Sequence, residues 1–262
     1  MNFPYGLCVD DNQTLIIADW GNHRIVQWKI NDVNGEVIAG GNGQLNRPTD
    51  VIIDNETNSI IISDRGNRRV VKWSRQNNAG QGEVLLENIA CWGLALDDQR
   101  NLYVSDTEKH EVRRYRIGEQ NGGTLVAGGN GRGIGFHQLN EPTYIFVDQQ
   151  KTVYVSDTKN SRVMKWIEDA TEGVRMLKCF SRGLYVDSSG AVFIADYGNH
   201  RLVRWSEELE ESTVISSRNI EADDTNQVYH PWGISADRHG QIFVSDHLNH
   251  RVQRFSLQPI AP

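Results

Sequence analysis

The sequence predicts an all-β protein, a six-bladed β-propeller built from four-stranded antiparallel blades. One phrase recurs six times: an apolar run ending in Ala-Asp or Ser-Asp, a polar turn, and a short run closed by an aromatic residue. Its spacing of 39 to 51 residues is typical of propeller blades and too long for leucine-rich or ankyrin repeats. Helical periodicity is absent along the chain. The six copies are anchored at Asp19, Asp64, Asp106, Asp157, Asp196 and Asp246.

Each blade can be assigned strand by strand. The predicted first strand follows a turn and ends in aspartate, as in residues 6–10, and the second is the most apolar, as in residues 15–18. Such an apolar run indicates burial on both faces, which blades stacked against each other provide. The third strand begins with a charge and ends in an aromatic residue such as Trp28, and a polar outer strand follows. In the last blade, either residues 256–260 form the fourth strand or the blade has only three.

The repeated turn resembles the NHL repeat, which is named for its Asn-His-Leu signature and forms six-bladed propellers. The best copies are the Asn-His-Arg triplets at 22–24, 199–201 and 249–251, and the resemblance covers essentially all 262 residues. The third repeat departs from the pattern, with Glu111 in place of the arginine and Cys91 where proline is usual. We therefore expect a different salt-bridge pattern there. The WD40 repeat fits less well because no aspartate follows the closing tryptophans.

Aspartates that end the second strands are followed five positions later by arginine in five of the repeats. A carboxylate at this place can accept hydrogen bonds from turn amides and pair with the arginine. We therefore interpret both residues as structural. The pairs are Asp19 with Arg24, Asp64 with Arg69, Asp157 with Arg162, Asp196 with Arg201 and Asp246 with Arg251.

Composition agrees with a single domain over residues 1–262, because 38% of the residues are hydrophobic and an all-β chain of this length can form one core. Cys8, Cys91 and Cys179 have no metal-ligand spacing and are interpreted as buried thiols. No signal peptide or membrane span is evident, but Asn12 and Asn55 begin glycosylation sequons. A cytoplasmic location is slightly favoured over secretion. We expect a monomer, and the abrupt ends within the repeat suggest a domain of a longer protein.

The net charge of −7 is unevenly distributed over the predicted loops. Once the strand-end aspartates are set aside, acids gather on one rim and bases on the other. Two interpretations stay open: both rims are ordinary solvated loops, or the basic rim is a binding face. The predicted basic rim carries Arg47, Arg65, Arg68, Lys109, Arg132, His137, Lys159, Arg182, Arg218, His230 and His247.

The residues that enter the first strands are predicted to surround the mouth of the axial channel, because that strand lines the axis. Large aromatic side chains and an arginine that converge there suit a small molecule or a peptide side chain. The alternative is that Trp92 and Trp232 merely close the channel. The predicted ligand contacts are Tyr5, Thr49, Trp92, Thr143, Arg182 and Trp232, surrounded by Trp20, Arg65, Thr107, Thr158, Tyr197 and His247.

Three functions follow from these observations. The first is a non-catalytic binding or scaffold module that recognises a protein, peptide or small ligand on the basic rim, because the fold offers a rigid platform. The first alternative is single-stranded RNA binding on the same face, since the resemblance includes NHL propellers of tripartite-motif proteins that bind RNA. The second alternative is a lyase or hydrolase acting in the axial channel.

The enzyme alternative lacks a catalytic set in the sequence. The chain resembles the peptide-amidating lyases in its repeat pattern, but Tyr5, Thr49, Thr143 and Trp232 occupy positions where those enzymes place zinc-binding histidines. Propeller lactonases use axial carboxylates, and we find no acid on the first strands except the terminal aspartates of the far rim. We therefore expect no catalytic residue, metal, cofactor or membrane partner.

Overall fold

Six antiparallel sheets surround one axis in the computed structural model, which describes residues 1–30, 32–76, 82–119, 122–217 and 227–256. Each sheet is built from consecutive strands, and the first strands of neighbouring sheets contact each other. The predicted all-β six-bladed propeller is confirmed. Five blades have four strands, and the sixth has three within the described ranges. The residues proposed for its fourth strand lie almost wholly outside those ranges.

The inner half of every blade consists of a first strand at the axis and an almost wholly buried second strand. The first strands are β1 (Pro4–Val9), β5 (Asp50–Asp54), β9 (Cys91–Leu96), β13 (Pro142–Val147), β17 (Ser181–Val186) and β21 (Pro231–Ala236). The second strands are β2 (Thr14–Asp19), β6 (Ser59–Asp64), β10 (Asn101–Asp106), β14 (Val153–Asp157), β18 (Val192–Asp196) and β22 (Gln241–Asp246).

The outer half of each blade faces solvent on its far side. The third strands are β3 (Arg24–Lys29), β7 (Arg69–Ser74), β11 (Glu111–Arg116), β15 (Arg162–Trp166), β19 (Arg201–Ser206) and β23 (Arg251–Ser256). The fourth strands are β4 (Glu36–Gly40), β8 (Glu83–Glu87), β12 (Thr124–Gly128), β16 (Val174–Lys178) and β20 (Glu211–Ser217). Among the described residues, the helical segments are short 3-10 turns, and none is long and apolar enough to cross a membrane.

The hydrophobic core is divided among the interfaces between blades. Six clusters of buried side chains each join mainly one neighbouring pair of blades, and the cluster of Leu7, Ile17, Val26 and Phe243 closes the ring between the first and the last. A blade therefore buries its faces only against its neighbours, which is why the repeat must be present in several copies.

The repeat turn is held by the strand-end aspartate. In the first blade, Asp19 faces Arg24 across the β2–β3 pairing, and its Oδ2 accepts hydrogen bonds from Arg24 Nε at 2.8 Å and Asn22 Nδ2 at 2.9 Å. Asp19 Oδ1 accepts a further bond from the backbone N–H of Asn2 at 2.6 Å. The equivalent arginine–aspartate pairs are 2.8 Å for Arg69 and Asp64, 2.6 Å for Arg162 and Asp157, 2.7 Å for Arg201 and Asp196, and 2.8 Å for Arg251 and Asp246.

The histidine of the turn joins one blade to the next. His23, His200 and His250 have left-handed backbone conformations, and their Nδ1 atoms accept hydrogen bonds from backbone N–H groups entering the following blade. For His23 the donor is Arg47 N, at 3.0 Å. The motif therefore combines a turn that is closed within one blade with a hydrogen bond that positions the next first strand.

The third blade has the different charge pattern expected from its sequence. Asp106 faces Glu111 across the β10–β11 pairing, so the arginine pair is replaced by hydrogen bonds from the backbone N–H groups of Glu108 and Lys109, both 3.0 Å long. Glu111 instead accepts from Arg113 Nε at 2.8 Å. His110 still accepts from the next blade, through Glu141 N at 3.1 Å.

Candidate functional site

The channel mouth is the end of the axial channel at which the first strands begin. In five blades the pairing of the first and second strands is irregular at this point, for example between Pro4 and Leu7 in β1. Such irregularities redirect side chains away from the regular strand pattern. In β1 the irregularity includes the second residue of the strand, Tyr5, whose side chain lies at the mouth.

Four aromatic rings stack nearly parallel at the mouth. Tyr5 lies between Trp20 and Trp232, with ring centroids 5.2 and 4.2 Å apart and planes inclined by 16° and 12°. Trp92 lies 6.0 Å from Tyr5 and 6.3 Å from Trp232. Tyr5 and Trp232 are buried, at 8% and 5% exposure, whereas Trp20 and Trp92 stay partly exposed. Tyr5 and Trp232 thus form the buried floor of the cluster, and Trp20 and Trp92 form its accessible shelf.

Three arginine side chains lie over these rings. The guanidinium carbon of Arg182 is 4.6 Å from the ring centroid of Trp232, that of Arg65 is 4.9 Å from Trp92, and that of Arg47 is 5.2 Å from Trp20. Arg182 is also 5.2 Å from the ring centroid of Tyr197. These distances are those of cation–π contacts. The mouth therefore alternates positive charge with aromatic surface.

His247 and Tyr5 add polar groups that burial keeps uncharged. The His247 ring packs 5.0 Å from Tyr5 and 4.7 Å from Trp232, and its Nδ1 lies 3.4 Å from Pro4 O. Burial lowers the pKa of His247 to about 4, although the contact with Pro4 O acts in the opposite direction. Burial also raises the pKa of Tyr5 to about 12, with Arg182 opposing it. At neutral pH the arginines therefore dominate the charge of the mouth.

Thr49 and Thr143 occupy the expected strand positions, but their side chains are buried in the protein. Thr49 Oγ1 donates to Trp92 O at 2.9 Å, and Thr143 Oγ1 lies 2.7 Å from Thr158 Oγ1. Their exposures are 0% and 2%. Thr49 thus joins the first strands of two blades, whereas the contact of Thr143 lies within its own blade, and both hydroxyls are already in use in the structure. The hydroxyl of Thr107 is also used within its own blade, where its Oγ1 donates to Ala90 O at 3.2 Å.

A buried acid on a first strand was missed by the sequence analysis, and the expectation of none is wrong. Asp50 is the first residue of β5 and is 5% exposed. Its Oδ2 accepts from Leu94 N at 2.8 Å and its Oδ1 from Val51 N at 3.0 Å. Burial raises the pKa of Asp50 to about 7, and these two hydrogen bonds only partly oppose the rise. Both carboxylate oxygens are thus used by backbone amides of the propeller.

Tyr144, on the first strand of the fourth blade, extends across the axis towards the second blade. It follows Thr143 in β13, as Asp50 follows Thr49, and its Oη donates to Thr49 O at 3.0 Å. The corresponding residue in the other four blades is glycine: Gly6, Gly93, Gly183 and Gly233. A Cβ atom on any of these glycines would meet the backbone of the following blade at a distance that real Cβ atoms do not reach. Glycine is therefore required by the close approach of first strands.

The basic rim is less positive than the sequence suggests. Arg68 forms a two-pronged pair with Glu108, with N···O distances of 2.5 and 2.9 Å, and Lys159 lies 3.9 Å from Glu141. His137 Nδ1 lies 3.8 Å from Glu172. Arg218 lies outside the described residues. Arg47, Arg65 and Arg182, by contrast, have no acid within ion-pair distance among the described residues and lie over the mouth rings.

Two concavities differ in their chemistry. The one at the mouth has a volume of about 270 Å³ and is lined by Tyr5, Trp20, Arg47, Arg65, Gly66, Arg68, Trp92 and Glu108. A larger groove of about 390 Å³ lies between β12 and the turn after β15, where Arg114 and Lys151 are already paired with Glu168. In the described part of the chain, no group of three or more metal-binding side chains lies together.

These features define the class of protein, a six-bladed β-propeller with repeat turns of Asp, Asn, His and Arg. The NHL repeat model matches residues 1–28, 90–115, 179–205 and 228–255. The chain is therefore a six-bladed propeller that contains NHL repeats. No curated protein sequence matches it.

Solved structures share the fold at low sequence identity. A protein of unknown function from Bacteroides thetaiotaomicron is 15% identical, with a TM-score of 0.78 over 98% of this chain and 70% of that one. Virginiamycin B lyase from Staphylococcus aureus is 10% identical, with a TM-score of 0.65 over 98% and 82%. A gluconolactonase from Xanthomonas campestris is 14% identical, with a TM-score of 0.69 over 93% and 82%. At these identities the similarity concerns the fold alone.

The four segments matched by the repeat model are the four blades with glycine after the mouth residue. Those blades supply Tyr5, Trp92, Arg182 and Trp232. The two unmatched blades supply the buried residues Thr49 and Thr143. Blades that match the repeat model thus place a large side chain at this first-strand position, and the two unmatched blades place a threonine there.

Proposed function

We propose that this propeller is a non-catalytic recognition module that binds a protein, peptide or small ligand at the channel mouth. The fold itself fits a binding or scaffold role. The observation that carries the proposal is the set of Arg47, Arg65 and Arg182, each stacked on an aromatic face. Within the described ranges, none of the three has a carboxylate at ion-pair distance.

Such an arrangement suits recognition better than stability. Aromatic and arginine side chains are the residues that dominate binding energy at protein interfaces, where they supply rigid area and directional donors. Tyr5 and Trp232 are held in place by packing on both sides, so the exposed faces of Trp20 and Trp92 rest on a fixed floor. A ligand would therefore meet a surface that needs little rearrangement on binding.

A selection from a random peptide library tests the proposal. Peptides that bind the wild-type protein should lose about tenfold or more in affinity to Arg65→Glu, because a rim charge that meets the ligand becomes repulsive. The matched control is Arg116→Glu on an exposed side chain whose nearest described acid is Glu119, at 3.6 Å. Equal affinity of wild type and Arg65→Glu for every selected peptide would place recognition elsewhere.

Single-stranded RNA is the second candidate because stacked aromatic rings beside arginines are the chemistry that such binding uses. A labelled uridine-rich strand should then bind with an affinity that falls steeply with salt, and Trp92→Ala should weaken it. We expect no RNA binding even at low salt, since the net charge is −7 and Arg68 is already paired with Glu108. Salt-sensitive binding that is lost in Arg65→Glu would reverse the order of the two candidates.

A lyase or hydrolase remains the third candidate on fold similarity alone. The similar structures include a virginiamycin B lyase and a gluconolactonase, at 10% and 14% identity. The acid nearest the axis, Asp50, is buried and bonded to two backbone amides, which leaves no carboxylate oxygen for a substrate. Nothing in the described geometry favours this candidate over recognition.

A further inference from the structure

Arg182 is the cation at the mouth that lies deepest in the aromatic cluster. Its guanidinium is 4.6 Å from Trp232 and 5.2 Å from Tyr197, and burial lowers its pKa, with nearby tyrosines opposing. Glu141 pairs with Lys159, with Nζ 3.9 Å from Oε2, and lies outside ion-pair distance of Arg182. A partly buried arginine in such surroundings is costly unless an anion completes it.

Three backbone carbonyls at the mouth already accept hydrogen bonds from the neighbouring blade. Ser245 Oγ donates to Tyr5 O at 2.6 Å, and Thr49 Oγ1 donates to Trp92 O at 2.9 Å. Ser105 Oγ does the same for Thr143 O, at 2.6 Å. The buried Trp92 Nε1, by contrast, makes no hydrogen bond to any described residue. The mouth group that lacks a hydrogen-bond partner among the described residues is therefore a donor.

The shape of the site limits the kind of anion. The mouth cavity is about 270 Å³, and its aromatic lining is Tyr5, Trp20 and Trp92. Arg182 does not line this cavity; it lies over Trp232, which stacks on Tyr5 with ring centroids 4.2 Å apart. A compact charged group at Arg182 can therefore be joined to a flat apolar body that rests on the neighbouring faces of Trp20 and Trp92. An extended polyanion would place only one of its charges there. The site therefore favours a ligand with one anionic group at one end over a ligand with many charges.

We infer that the mouth is a receptor for a compact anionic group, of the carboxylate type, attached to a flat apolar body, with Arg182 as the residue that binds the charge. The inference rests on the proposed recognition function and specifies its ligand class. The carboxylate can belong to a small organic acid or to the C-terminus of a peptide, since both offer the same oxygens to a guanidinium.

Calorimetric titration with two matched pairs of probes tests the inference. The first pair is indole-3-acetate and indole-3-acetamide, and the second is the peptide acetyl-Gly-Gly-Trp with a free or an amidated C-terminus. The acid of at least one pair should bind about tenfold or more tightly than its amide, as expected for one charge-assisted bond. The pair with the larger ratio identifies the small-molecule or the peptide source.

Variants assign the charge to Arg182. Arg182→Gln should reduce the affinity for the acid to that for the amide, Arg182→Lys should retain part of the difference, and Arg116→Gln should change nothing. Circular dichroism and the melting temperature of each variant show whether it is folded. An acid-to-amide ratio that Arg182→Gln leaves unchanged would overturn the assignment.

The outcomes separate this inference from the proposed function. Equal binding of acid and amide, lost in Trp92→Ala, would overturn the anion inference while leaving the mouth as a binding site. If none of the four probes binds but selected peptides bind in a way that depends on Arg65, the anion inference is likewise overturned and the mouth remains a binding site. Failure of all four probes and of every selected peptide to depend on the mouth would overturn both.

Discussion

Two groups of blades surround the axis, and they differ at one position of the first strand. The first, third, fifth and sixth blades carry glycine there, whereas the second and fourth carry Asp50 and Tyr144. Beside each glycine, the following first strand approaches closely and the preceding residue is a large side chain at the mouth. Beside Asp50 and Tyr144, the preceding residue is a buried threonine. The glycine blades supply the large first-strand side chains of the mouth, to which the second blade adds Arg65 after its second strand.

The comparison shows how one repeat serves two purposes. The turn of Asp, Asn and Arg is present in both groups, as Asp157 with Arg162 and Asp196 with Arg201 illustrate. The first strand is where the groups diverge, because its side chains either meet the ligand surface or pack around the axis. The repeat turn is thus common to both groups, whereas the first strand differs between them.

The largest effect is expected from closing the space beside a glycine. In Gly93→Ala the new Cβ would lie 2.5 Å from Thr143 O and 2.8 Å from Tyr144 Cα, both backbone atoms. The first strands must separate, which also strains the hydrogen bond from Ser105 Oγ to Thr143 O. We expect a loss of about 3–5 kcal/mol in the free energy of unfolding. Gly122→Ala is the control, because a Cβ there meets nothing within 4 Å. Equal stability of the two variants in urea titrations would contradict the tight packing of glycine blades.

The second effect concerns the pH dependence that Asp50 introduces. Its folded pKa of about 7 lies above its ordinary value of 3.8, so the folded state holds the proton more tightly than the unfolded state. This contribution is complete below about pH 4 and is lost as the pH rises through about 7. It amounts to about 4 kcal/mol, an order-of-magnitude figure from the difference between the two pKa values.

His247 opposes Asp50 in the same pH range. Its folded pKa of about 4 lies below its ordinary value of 6.5, so its contribution is present above about pH 6.5 and lost as the pH falls through about 4. The free energy of unfolding, measured in urea between pH 4 and 7, should therefore change with pH in opposite directions in the two variants. His247→Gln should become less stable as pH rises, and Asp50→Asn should become more stable. Parallel pH profiles for wild type and Asp50→Asn would contradict the raised pKa of Asp50.

A smaller effect is expected at the repeat turn, which both groups of blades share. Arg201→Ala should cost about 1–3 kcal/mol, because it leaves the buried Asp196 with only part of its hydrogen bonds. Arg162→Ala should cost more, since Arg162 also donates to Ile134 O, Gly135 O and Gln138 O and burial already raises the pKa of Asp157. Thermal melts of both variants check the order. An unchanged melting temperature for Arg201→Ala would free that arginine for another role.

The sequence predicted what repeats and missed what differs between repeats. The spacing of the strand-end aspartates was enough for the six blades and for the residues that enter the mouth, because each repeat must solve the same packing problem. Tyr5, Trp92, Arg182 and Trp232 do meet there. Blade-to-blade contacts carry no local signal, which is why the pairing of Arg68 with Glu108 was not expected.

Asp50 was missed for a similar physical reason. Its local context, Pro48-Thr49-Asp50, is typical of a turn, and only the alignment of first strands shows that it stands where four other blades have glycine. Thr49 and Thr143 precede these two residues and are buried, the hydroxyl of Thr49 against Trp92 O of the next blade and that of Thr143 against Thr158 of its own blade. A comparison of the six copies position by position would have revealed Asp50 and Tyr144.

The central claim is that Arg182 is held at the mouth for a ligand, whereas Arg201 is held in its turn for the fold. The free energy of unfolding of Arg182→Met, measured beside Arg201→Met in the absence of ligand, tests this most directly. We expect Arg182→Met to stay within about 1 kcal/mol of wild type or to exceed it, because a cation–π contact is lost but a partly buried unpaired charge is removed. Arg201→Met should lose about 1–3 kcal/mol. A loss in Arg182→Met as large as that in Arg201→Met would contradict the claim.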